Sequence, residues 1–374
     1  MITTRPGNTK KACVMSDGID RNDGPASFPD QGRDSFPCFR SPPSQRRLFL
    51  QGMMGVALLS HPLAVFAASK APSRQRFFSE HPWLQAWVER GLFESDRLYD
   101  LLARIKPDKR VVKWMNHQAE AKPYNQYRTL FISENRIKGG KNRLKRYAKT
   151  LQAVEEKYQV PAEVVVALWG IESSYGKNTG GFSVLRTLFT LSTGYPRRAS
   201  FFRTQLRHFL LLCQEEGFAP HTLKGSYAGA MGQAQMIPET MRRYAVDFDG
   251  DGRRDIFHTP VDVLASIASF LAGHGWKAGE RYTLLPVQTP NLKNLVSPSL
   301  DKMKPWHWWQ AQQVQLPEGV SPPDPNQSVG LVRLKEKNGL RYHLVFTNFR
   351  VITRWNRSSR FAMVVHELAE QIRV

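Results

Sequence analysis

One carboxylate in the chain stands at the end of an almost wholly apolar helical segment. Residues 164–171 read Val-Val-Val-Ala-Leu-Trp-Gly-Ile, and Glu172 follows them, with Trp169 and Tyr175 at helical spacing from it. A carboxyl group that is poorly solvated has a raised pKa and can stay protonated near neutral pH. Such a group can act as a general acid. The alternative is a helix-terminal glutamate that bonds only to backbone or solvent.

A second candidate is the segment 225–238, Gly-Ser-Tyr-Ala-Gly-Ala-Met-Gly-Gln-Ala-Gln-Met-Ile-Pro. Its glycines and alanines allow a ligand to approach the backbone closely. Ser226, Gln233 and Gln235 add neutral hydrogen-bonding groups of the kind that bind sugars. No Gly-Lys-Ser/Thr follows and no strand pattern precedes the glycines, which excludes a nucleotide loop. The alternative is a close crossing between helices.

The segment 247–255, Asp-Phe-Asp-Gly-Asp-Gly-Arg-Arg-Asp, resembles the start of an EF-hand calcium loop. Aspartates occupy loop positions one, three, five and nine, and Gly252 stands at position six, where the chain turns sharply. His258 stands at position twelve, where a bidentate glutamate is expected. The alternative is an Asp/Gly turn without a metal. The predicted calcium ligands are the carboxylates of Asp247, Asp249, Asp251 and Asp255 and the carbonyl of Arg253.

The elements that must position these residues are mostly helical. Apolar residues recur at helical spacing through residues 80–158, 162–175 and 199–216. Pro161 favours a helix start and Gly176 a stop. A helix is also expected from Thr259-Pro260 to about Gly273, with Asp262 three residues after the cap. A last helix is expected from about Ser359 to Ile372.

The β content is confined to the C-terminal part of the chain. Asn338-Gly339 lies between alternating runs in residues 329–346, and this pattern is typical of a β-hairpin. Residues 283–330 are rich in proline and short of helical pattern. These patterns predict the α+β class, with helix dominant.

The first 67 residues have the layout of a leader followed by an export signal. Residues 1–45 are polar and lack periodicity, which predicts disorder or an over-extended reading frame. Arg46-Arg47 then precedes an apolar run that ends in Val65-Phe66-Ala67. We expect cleavage near Ala68 and export to the periplasm, by a twin-arginine-like or an ordinary secretory route. No cysteine follows the run directly, so no lipid anchor is expected there. No stretch reaches the ~18 uninterrupted apolar residues of a membrane span, so no span is expected either.

The mature chain is strongly basic. The full chain has a net charge of +21, and its first 67 residues hold eight Lys and Arg and five Asp and Glu, so residues 68–374 keep +18. Such a charge indicates an anionic partner. Cys213 is the one cysteine after the leader and sits in an apolar run, so we expect a buried thiol without a disulfide.

Several of these segments, in order, resemble the lytic murein transglycosylase B family. Residues 167–176 (Ala-Leu-Trp-Gly-Ile-Glu-Ser-Ser-Tyr-Gly) are similar to its catalytic-glutamate motif, and residues 225–238 to its Gly-Ser-x-Ala-Gly-Ala-Met-Gly-x-x-Gln segment. The calcium-type loop, His274-Gly275-Trp276 and residues 347–356 continue the match. The resemblance covers roughly residues 77–374. It implies a lysozyme-like catalytic core, about 150–280, with an added helical part and a small β part, and a hairpin and helix over about 329–374.

The resemblance also implies roles for individual residues. Glu172 falls on the single catalytic acid/base, and no cofactor is implied for the chemistry beyond a structural Ca²⁺. Phe270, Trp355 and Phe361 stand where the family has tyrosines, so aromatic character is kept and the hydroxyls are lost. The implied substrate-contacting positions are Ser226, Gln235, Phe270, Trp355, Asn356 and Phe361.

The implied reaction cleaves the β-1,4 bond between N-acetylmuramic acid and N-acetylglucosamine without water and leaves 1,6-anhydro-muramic acid ends. Glycan strands of peptidoglycan are then the partner, with other cell-wall enzymes as candidates, and we expect a monomer. One alternative is a lysozyme-type hydrolase, which needs Glu239 or an aspartate as second carboxylate. Another is a non-catalytic wall-binding or nucleic-acid-binding protein; export argues against nucleic acid, and neither explains Glu172.

Overall fold

The computed structural model describes residues 71–116 and 122–373. Within them, residues 71–107 form one compact unit and residues from Asp108 onward form another. The leader and export signal predicted over residues 1–67 lie outside the described residues. Within the described ranges, no helix combines the length and the apolar character that crossing a membrane requires.

The smaller unit consists of short helices around an aromatic and aliphatic core. Its helices are α1 Arg74–Glu80, α2 Pro82–Glu89 and α3 Ser95–Leu102. Leu84, Leu98 and Leu102 are almost fully buried, and the ring of Phe77 lies edge-on to that of Tyr99. These positions follow the helical apolar stripe of the sequence.

The larger unit contains the remaining helices and all the described strands. Its first helices are α4 Lys109–Asn116, α5 Tyr124–Arg128, α6 Glu134–Arg146, α7 Ala148–Tyr158, α8 Ala162–Ser173, α9 Val184–Gly194 and α10 Ala199–Glu215. They are followed by α11 Pro238–Tyr244, α12 Pro260–Gly273, α13 Trp306–Ala311, α14 Thr347–Trp355 and α15 Ser359–Ile372. The strands are β1 Phe182–Ser183, β2 Lys224–Gly225, β3 Thr283–Leu284, β4 Lys304–Pro305, β5 Ser328–Glu336 and β6 Gly339–Val345.

Helix α8 is the central element of this unit. Every residue from Val164 to Ser173 is buried, because α6, α7, α12 and α15 all pack against it. A helix that is apolar on every side can be stable in water only when it is covered in this way. The apolar run of the sequence therefore predicts the buried position of Glu172.

The chain leaves α8 through three consecutive left-handed residues rather than through one glycine. Ser174, Tyr175 and Gly176 have φ angles of 53°, 61° and 83°. Left-handed backbone is unfavourable for side chains larger than glycine, so it persists only where the surroundings fix it. The helix ends at Ser173, three residues before the glycine that predicted its stop.

The side chain of Tyr175 fixes this exit. Its hydroxyl donates to the Arg136 carbonyl at 2.7 Å, and the Arg143 guanidinium lies 5.2 Å from its ring centroid. A Cβ atom built on Gly139 or Gly170 would come within 3 Å of the ring. The two glycines thus provide the space that the buried tyrosine occupies.

The strands form two small antiparallel sheets. One pairs β1 with β2, so that Phe182 lies opposite Gly225. The other has the order β3-β6-β5-β4, and Trp306, Trp309 and Phe346 are among the side chains of its core. The hairpin between β5 and β6 is present where the sequence predicts one.

The turn of that hairpin lies one residue earlier than Asn338-Gly339. Glu336 pairs with Gly339, so the turn is Lys337-Asn338, and Gly339 opens β6. Neither turn residue has a positive φ, whereas Gly339 has φ of 125°. The glycine thus takes the one conformation of the hairpin that a side chain disfavours.

We expect Gly170→Ala to destabilise the protein, although alanine is normally the better helix residue. A Cβ atom there would lie 2.6 Å from Cζ of Tyr175, whose ring is confined by Gly139 on its other side. Overpacking of this kind costs about 1–3 kcal/mol. Urea unfolding measures the difference.

Gly194→Ala is the matched control. Gly194 is also a helical glycine, but its Cβ would meet only Val112, at 3.9 Å. We expect it to be neutral or to stabilise by up to about 1 kcal/mol. A Gly170→Ala protein as stable as the Gly194→Ala protein would contradict this account of the Tyr175 cavity.

Candidate active site

Glu172 lies in the last turn of α8, and its side chain is almost inaccessible to water. The residue is 6% exposed, and its Oε1 accepts a hydrogen bond of 2.9 Å from the indole Nε1 of Trp355. Trp355 is the last residue of α14 and is 183 positions away in sequence. Helix packing therefore brings together a carboxyl group and a single donor.

This environment raises the pKa of Glu172 to about 8. Burial is the main cause, because it disfavours the charged form, and the Trp355 hydrogen bond acts in the opposite direction. Among the described residues, no other titratable group shifts this pKa. At neutral pH the carboxyl group is therefore mostly protonated, as a general acid requires.

Aromatic rings form a wall next to the carboxyl group. The Phe270 ring lies 4.7 Å from that of Trp355, edge to face, and 4.1 Å from that of His274. Tyr244 contacts both Phe270 and His274. The predicted residues Phe270 and Trp355 thus contact each other, and Trp355 connects them to Glu172.

The sequence prediction did not place Tyr244 or His274 at this wall. His274 follows Phe270 by four residues on the α12 helix face, so helical spacing could have identified it. Tyr244 is the last residue of α11, and nothing in its local sequence indicates a partner on α12.

Asn356 and Phe361, two further predicted contact residues, differ in their surroundings. Asn356 follows Trp355 directly, and its backbone carbonyl accepts from the Ser358 amide at 2.6 Å. Phe361 is fully buried in the first turn of α15, and its ring offers no surface to a ligand in this conformation. Substrate contact by either residue stays a prediction.

The segment 225–238 is a compact loop rather than a helix crossing. The Ser226 hydroxyl is fully buried and accepts from the amides of Ala228 and Ala230, at 3.2 and 2.8 Å. Met231 bridges to both Gly225 and Met236. Ser226 therefore holds the loop in shape, and its predicted contact with substrate is not tested by this arrangement.

Gln235 presents an unused acceptor in the same loop. Its Nε2 donates to the carbonyls of Thr179 and Gly232, at 3.0 and 2.7 Å, so its Oε1 must point away from them. That oxygen is buried and has no hydrogen-bond partner among the described residues. An unsatisfied buried acceptor is costly unless a ligand fills it.

The chain that follows Glu172 packs directly on this loop. A Cβ atom on Gly180 would come within 2.1 Å of the Gly225 carbonyl oxygen, and one on Gly176 within 2.3 Å of Gln233 Oε1. Gln233 in turn accepts from the Trp169 indole at 3.2 Å. The glycines therefore allow the close approach that connects the carboxylate segment to the 225–238 loop.

Three of the predicted metal ligands converge. Each of Asp247, Asp249 and Asp251 has a carboxylate oxygen within 4.8 Å of the others. Asp247 also accepts from the amides of Gly250 and Gly252, which shapes the turn. Carboxylate oxygens at this spacing are the donor set that Ca²⁺ prefers, so the residues fit the ion.

Asp255 is not part of that cluster. Its Oδ2 lies 2.9 Å from Nδ1 of His258, and its Oδ1 accepts from the amides of Phe257 and His258. His258, at loop position twelve, thus bonds to the carboxylate of Asp255, which the sequence predicts as a metal ligand. For Asp255 and for the Arg253 carbonyl, metal ligation stays a prediction.

The sequence missed the acid that closes the loop. Asp262 is fully buried and accepts from the amides of Phe248 and Asp255, both at 2.8 Å. Its spacing from Thr259 predicts a helix capping box, and that prediction is wrong, because Asp262 bonds to the loop and Thr259 makes no side-chain cap. Burial raises the pKa of Asp262 above its usual value.

Glu239, the alternative second carboxylate, is engaged elsewhere. Its Oε2 accepts from Gln205 Nε2 at 2.9 Å, and its amide donates back to Gln205 Oε1. It makes no contribution to the pKa of Glu172. The arrangement thus offers one buried acid next to an aromatic wall.

Comparison with known proteins agrees with this site. Residues 79–370 match the family of the transglycosylase SLT domain, SLT_2. The chain is 32% identical over 313 residues to the membrane-bound lytic murein transglycosylase B of Escherichia coli (strain K12), over 79% of this chain and 84% of the relative.

Two solved structures share the fold. The Escherichia coli lytic transglycosylase Slt35 in complex with calcium is 32% identical, with a TM-score of 0.69 over 82% of this chain and 94% of that chain. SltB3 from Pseudomonas aeruginosa in complex with NAG-anhNAM-pentapeptide is 34% identical, with a TM-score of 0.69 over 78% of this chain and 79% of that chain. The predicted fold, mostly helical α+β and lysozyme-like, is confirmed. On the family match and on the identity to a lytic murein transglycosylase, this chain belongs to the SLT_2 family of transglycosylase SLT domains.

Proposed function

We propose that this chain is a lytic transglycosylase that cleaves peptidoglycan glycan strands with Glu172 as its single acid and base. The observation that carries the proposal is the carboxyl group itself. It is buried, its pKa is raised to about 8, and the Trp355 indole is its one hydrogen-bond partner among the described residues.

The reaction needs one proton to be given and one to be taken back. Protonated Glu172 donates to the oxygen of the β-1,4 bond between N-acetylmuramic acid and N-acetylglucosamine, and the bond to the anomeric carbon breaks. Glu172, now ionised, accepts the proton of the muramic acid 6-hydroxyl, whose oxygen bonds to the same anomeric carbon. The products are a free 4-hydroxyl and a 1,6-anhydro ring, and no water is consumed.

A single carboxylate suits this chemistry because the nucleophile belongs to the substrate. Glycosidases that use water or a covalent intermediate need a second carboxylate at about 5–10 Å from the first. Here Glu239 is bonded to Gln205 and does not affect the pKa of Glu172. The intramolecular hydroxyl also has the advantage of proximity. The SltB3 complex contains an anhydro-muramyl ligand, which supports the same product here.

The surroundings of Glu172 suit a glycan. The aromatic wall gives flat apolar surfaces next to the acid, and the unused Oε1 of Gln235 can accept from a sugar hydroxyl or acetamido N–H. The net charge of +18 on residues 68–374 favours strands whose muramyl and peptide groups carry carboxylates. Ser226, Asn356 and Phe361 are further predicted contacts of the strand.

Calcium has a structural role in this proposal. Asp247, Asp249 and Asp251 would hold the ion, with the Arg253 carbonyl and Asp255 as further predicted ligands. Slt35 was solved with calcium, which supports a site of this kind. The loop precedes α12, which carries Phe270, so an ion there stabilises the aromatic wall without touching the reaction.

The substrate also fits the compartment that the leader indicates. The export signal over residues 46–67 would deliver the mature chain to the periplasm, where peptidoglycan lies. We propose that it acts there as a monomer.

The variant Glu172→Gln tests the catalytic assignment. Glutamine keeps the size of the side chain but cannot exchange a proton, so we expect a loss of activity on purified peptidoglycan of roughly 100- to 10,000-fold. Mass spectrometry of wild-type digests should show 1,6-anhydro-muramic acid ends, which are lighter than reducing ends by one water. Predominantly reducing ends would refute the transglycosylase assignment.

Glu239→Gln is the matched control for that experiment. In the proposed mechanism this carboxylate only bonds to Gln205, so activity should be retained. A hydrolase that uses two carboxylates would lose activity in both variants. Full activity in Glu172→Gln would remove Glu172 from the mechanism.

Stability against pH tests the burial of Glu172 independently of activity. Its pKa is raised from 4.5 to about 8 on folding, so between these pH values the folded chain holds a proton that the unfolded chain has released. Unfolding then becomes easier as pH rises, by up to about 1.4 kcal/mol per pH unit from this group. The Glu172→Gln protein lacks this loss of stability with rising pH, because glutamine does not titrate. Urea unfolding at pH 5 and pH 8 should show the variant gaining stability relative to wild type, and equal differences at both pH values would contradict the raised pKa.

Thermal melts test the calcium site. An ion that binds only the folded chain adds about 2.7 kcal/mol when it is present at a hundredfold excess over its dissociation constant. Calcium should therefore raise the melting temperature of metal-free protein, and a chelator should reverse the change. Asp249→Ala should abolish the shift, because its carboxylate belongs to the converging set. Identical melts of wild type with millimolar calcium and with chelator would contradict the site.

A further inference from the structure

One large aromatic side chain of the described residues stands in solvent close to the 225–238 loop. Trp114, on α4, is 38% exposed, whereas the other exposed large apolar residues are the aliphatic Leu285, Val287 and Leu340. An exposed indole offers a flat apolar face on which a ligand ring can stack. The catalytic proposal gives Trp114 no role.

The ring of Trp114 is held in place by two other aromatic residues. It lies edge to face with Tyr227, at 5.3 Å between centroids, and with Phe182, at 5.9 Å. We call Trp114, Phe182 and Tyr227 the aromatic platform. Edge-to-face contacts of this kind fix a ring at little cost in conformational entropy.

Within the platform, Trp114 is the ring that is free to stack. The Arg110 guanidinium lies 5.6 Å from the Phe182 ring centroid, and both oxygens of Asp108 hold it there through charged hydrogen bonds. One face of Phe182 is therefore covered. Trp114 keeps its exposure and receives its orientation from the other two rings.

The platform is continuous with the loop of the proposed active site. Tyr227 follows Ser226 directly, and Phe182 pairs with Gly225 across the β1–β2 ladder. Phe182 also ends the segment 173–182, which follows Glu172. This segment contains Thr179, whose carbonyl accepts from Gln235. The aromatic platform therefore adjoins the N-terminal end of the 225–238 loop.

We propose that the aromatic platform is a further sugar subsite, in which a pyranose ring of the glycan strand stacks on Trp114 away from the cleaved bond. Exposed Lys109 and Lys224 lie on the elements that carry or adjoin the platform, and they suit the carboxylates of the stem peptides. A protein partner would need about 800 Å² of surface with several apolar residues, and a single indole between lysines does not provide this. The inference rests on the proposed function of the chain.

The test compares short and long oligosaccharides. In a Glu172→Gln background, which prevents cleavage, calorimetry measures binding of the N-acetylglucosamine dimer and hexamer. Trp114→Leu, which keeps apolar bulk and removes the ring, should raise the dissociation constant of the hexamer about tenfold and leave that of the dimer unchanged. Trp114→Phe, which keeps a ring, should recover most of the affinity. Leu340→Ala removes another exposed apolar group and should change neither.

An unchanged hexamer affinity in Trp114→Leu would overturn the subsite. An equal loss of affinity for dimer and hexamer would also overturn it, and so would a Trp114→Phe protein that binds the hexamer as weakly as Trp114→Leu. If the hexamer binds too weakly to measure, release of soluble products from purified peptidoglycan, with Glu172 intact, decides the question. Trp114→Leu should then slow release severalfold and leave the anhydro ends unchanged. An unchanged rate of release would overturn the subsite. Wild-type digests without anhydro ends would refute the proposed function instead.

Discussion

The transfer of the Glu172 carboxyl group out of water is the constraint on which the site depends. An ionised carboxylate is strongly disfavoured in such a place, so the group stays protonated to about pH 8. That cost is tolerated because α6, α7, α12 and α15 pack against α8 and bury the turn that carries the carboxyl group. The burial of the central helix α8 therefore stabilises the fold and also raises the pKa of Glu172.

The exit from α8 shows what this placement requires of the neighbouring chain. Three left-handed residues follow the helix directly, and only the third is glycine. Tyr175 tolerates this conformation because its ring fills space left by Gly139 and Gly170 and its hydroxyl reaches the Arg136 carbonyl. The unfavourable backbone thus lies two residues after Glu172, where it turns the chain toward the 225–238 loop.

The sequence predicts the elements well where one local pattern determines them. The apolar run before Glu172 indicates a buried helix, and the helices of residues 260–273 and 359–372 begin and end where their patterns indicate. The sequence-based prediction is wrong where a side chain can bond either to a local partner or to a distant one. Asp262 has the spacing of a cap residue but accepts from two loop amides instead, while the Thr259 amide donates to the Asp255 carbonyl. Asp255 is likewise held by His258.

Contacts between distant segments are also beyond single-sequence reasoning. Trp355 lies 183 residues from Glu172, and only the family resemblance connected them. The stacking of Tyr244 on α12 and the edge contacts of Trp114 with the 225–238 loop have no local signal at all. Periodicity can place such residues on a helix face, but it cannot say which other helix that face meets.

The family resemblance implies a tyrosine at the position of Trp355, and the indole found there restricts which oxygen of Glu172 carries the acidic proton. A tyrosine hydroxyl can donate or accept, whereas the indole N–H can only donate. Because Oε1 of Glu172 accepts from that N–H, the arrangement favours the proton of the neutral carboxyl group on Oε2, which in the proposed mechanism faces the substrate. After the proton has been given away, the same indole stabilises the carboxylate and moderates the effect of burial on its pKa. In the proposed mechanism, burial and the indole hydrogen bond act on the pKa of Glu172 in opposite directions, as suits one residue that serves as acid and then as base.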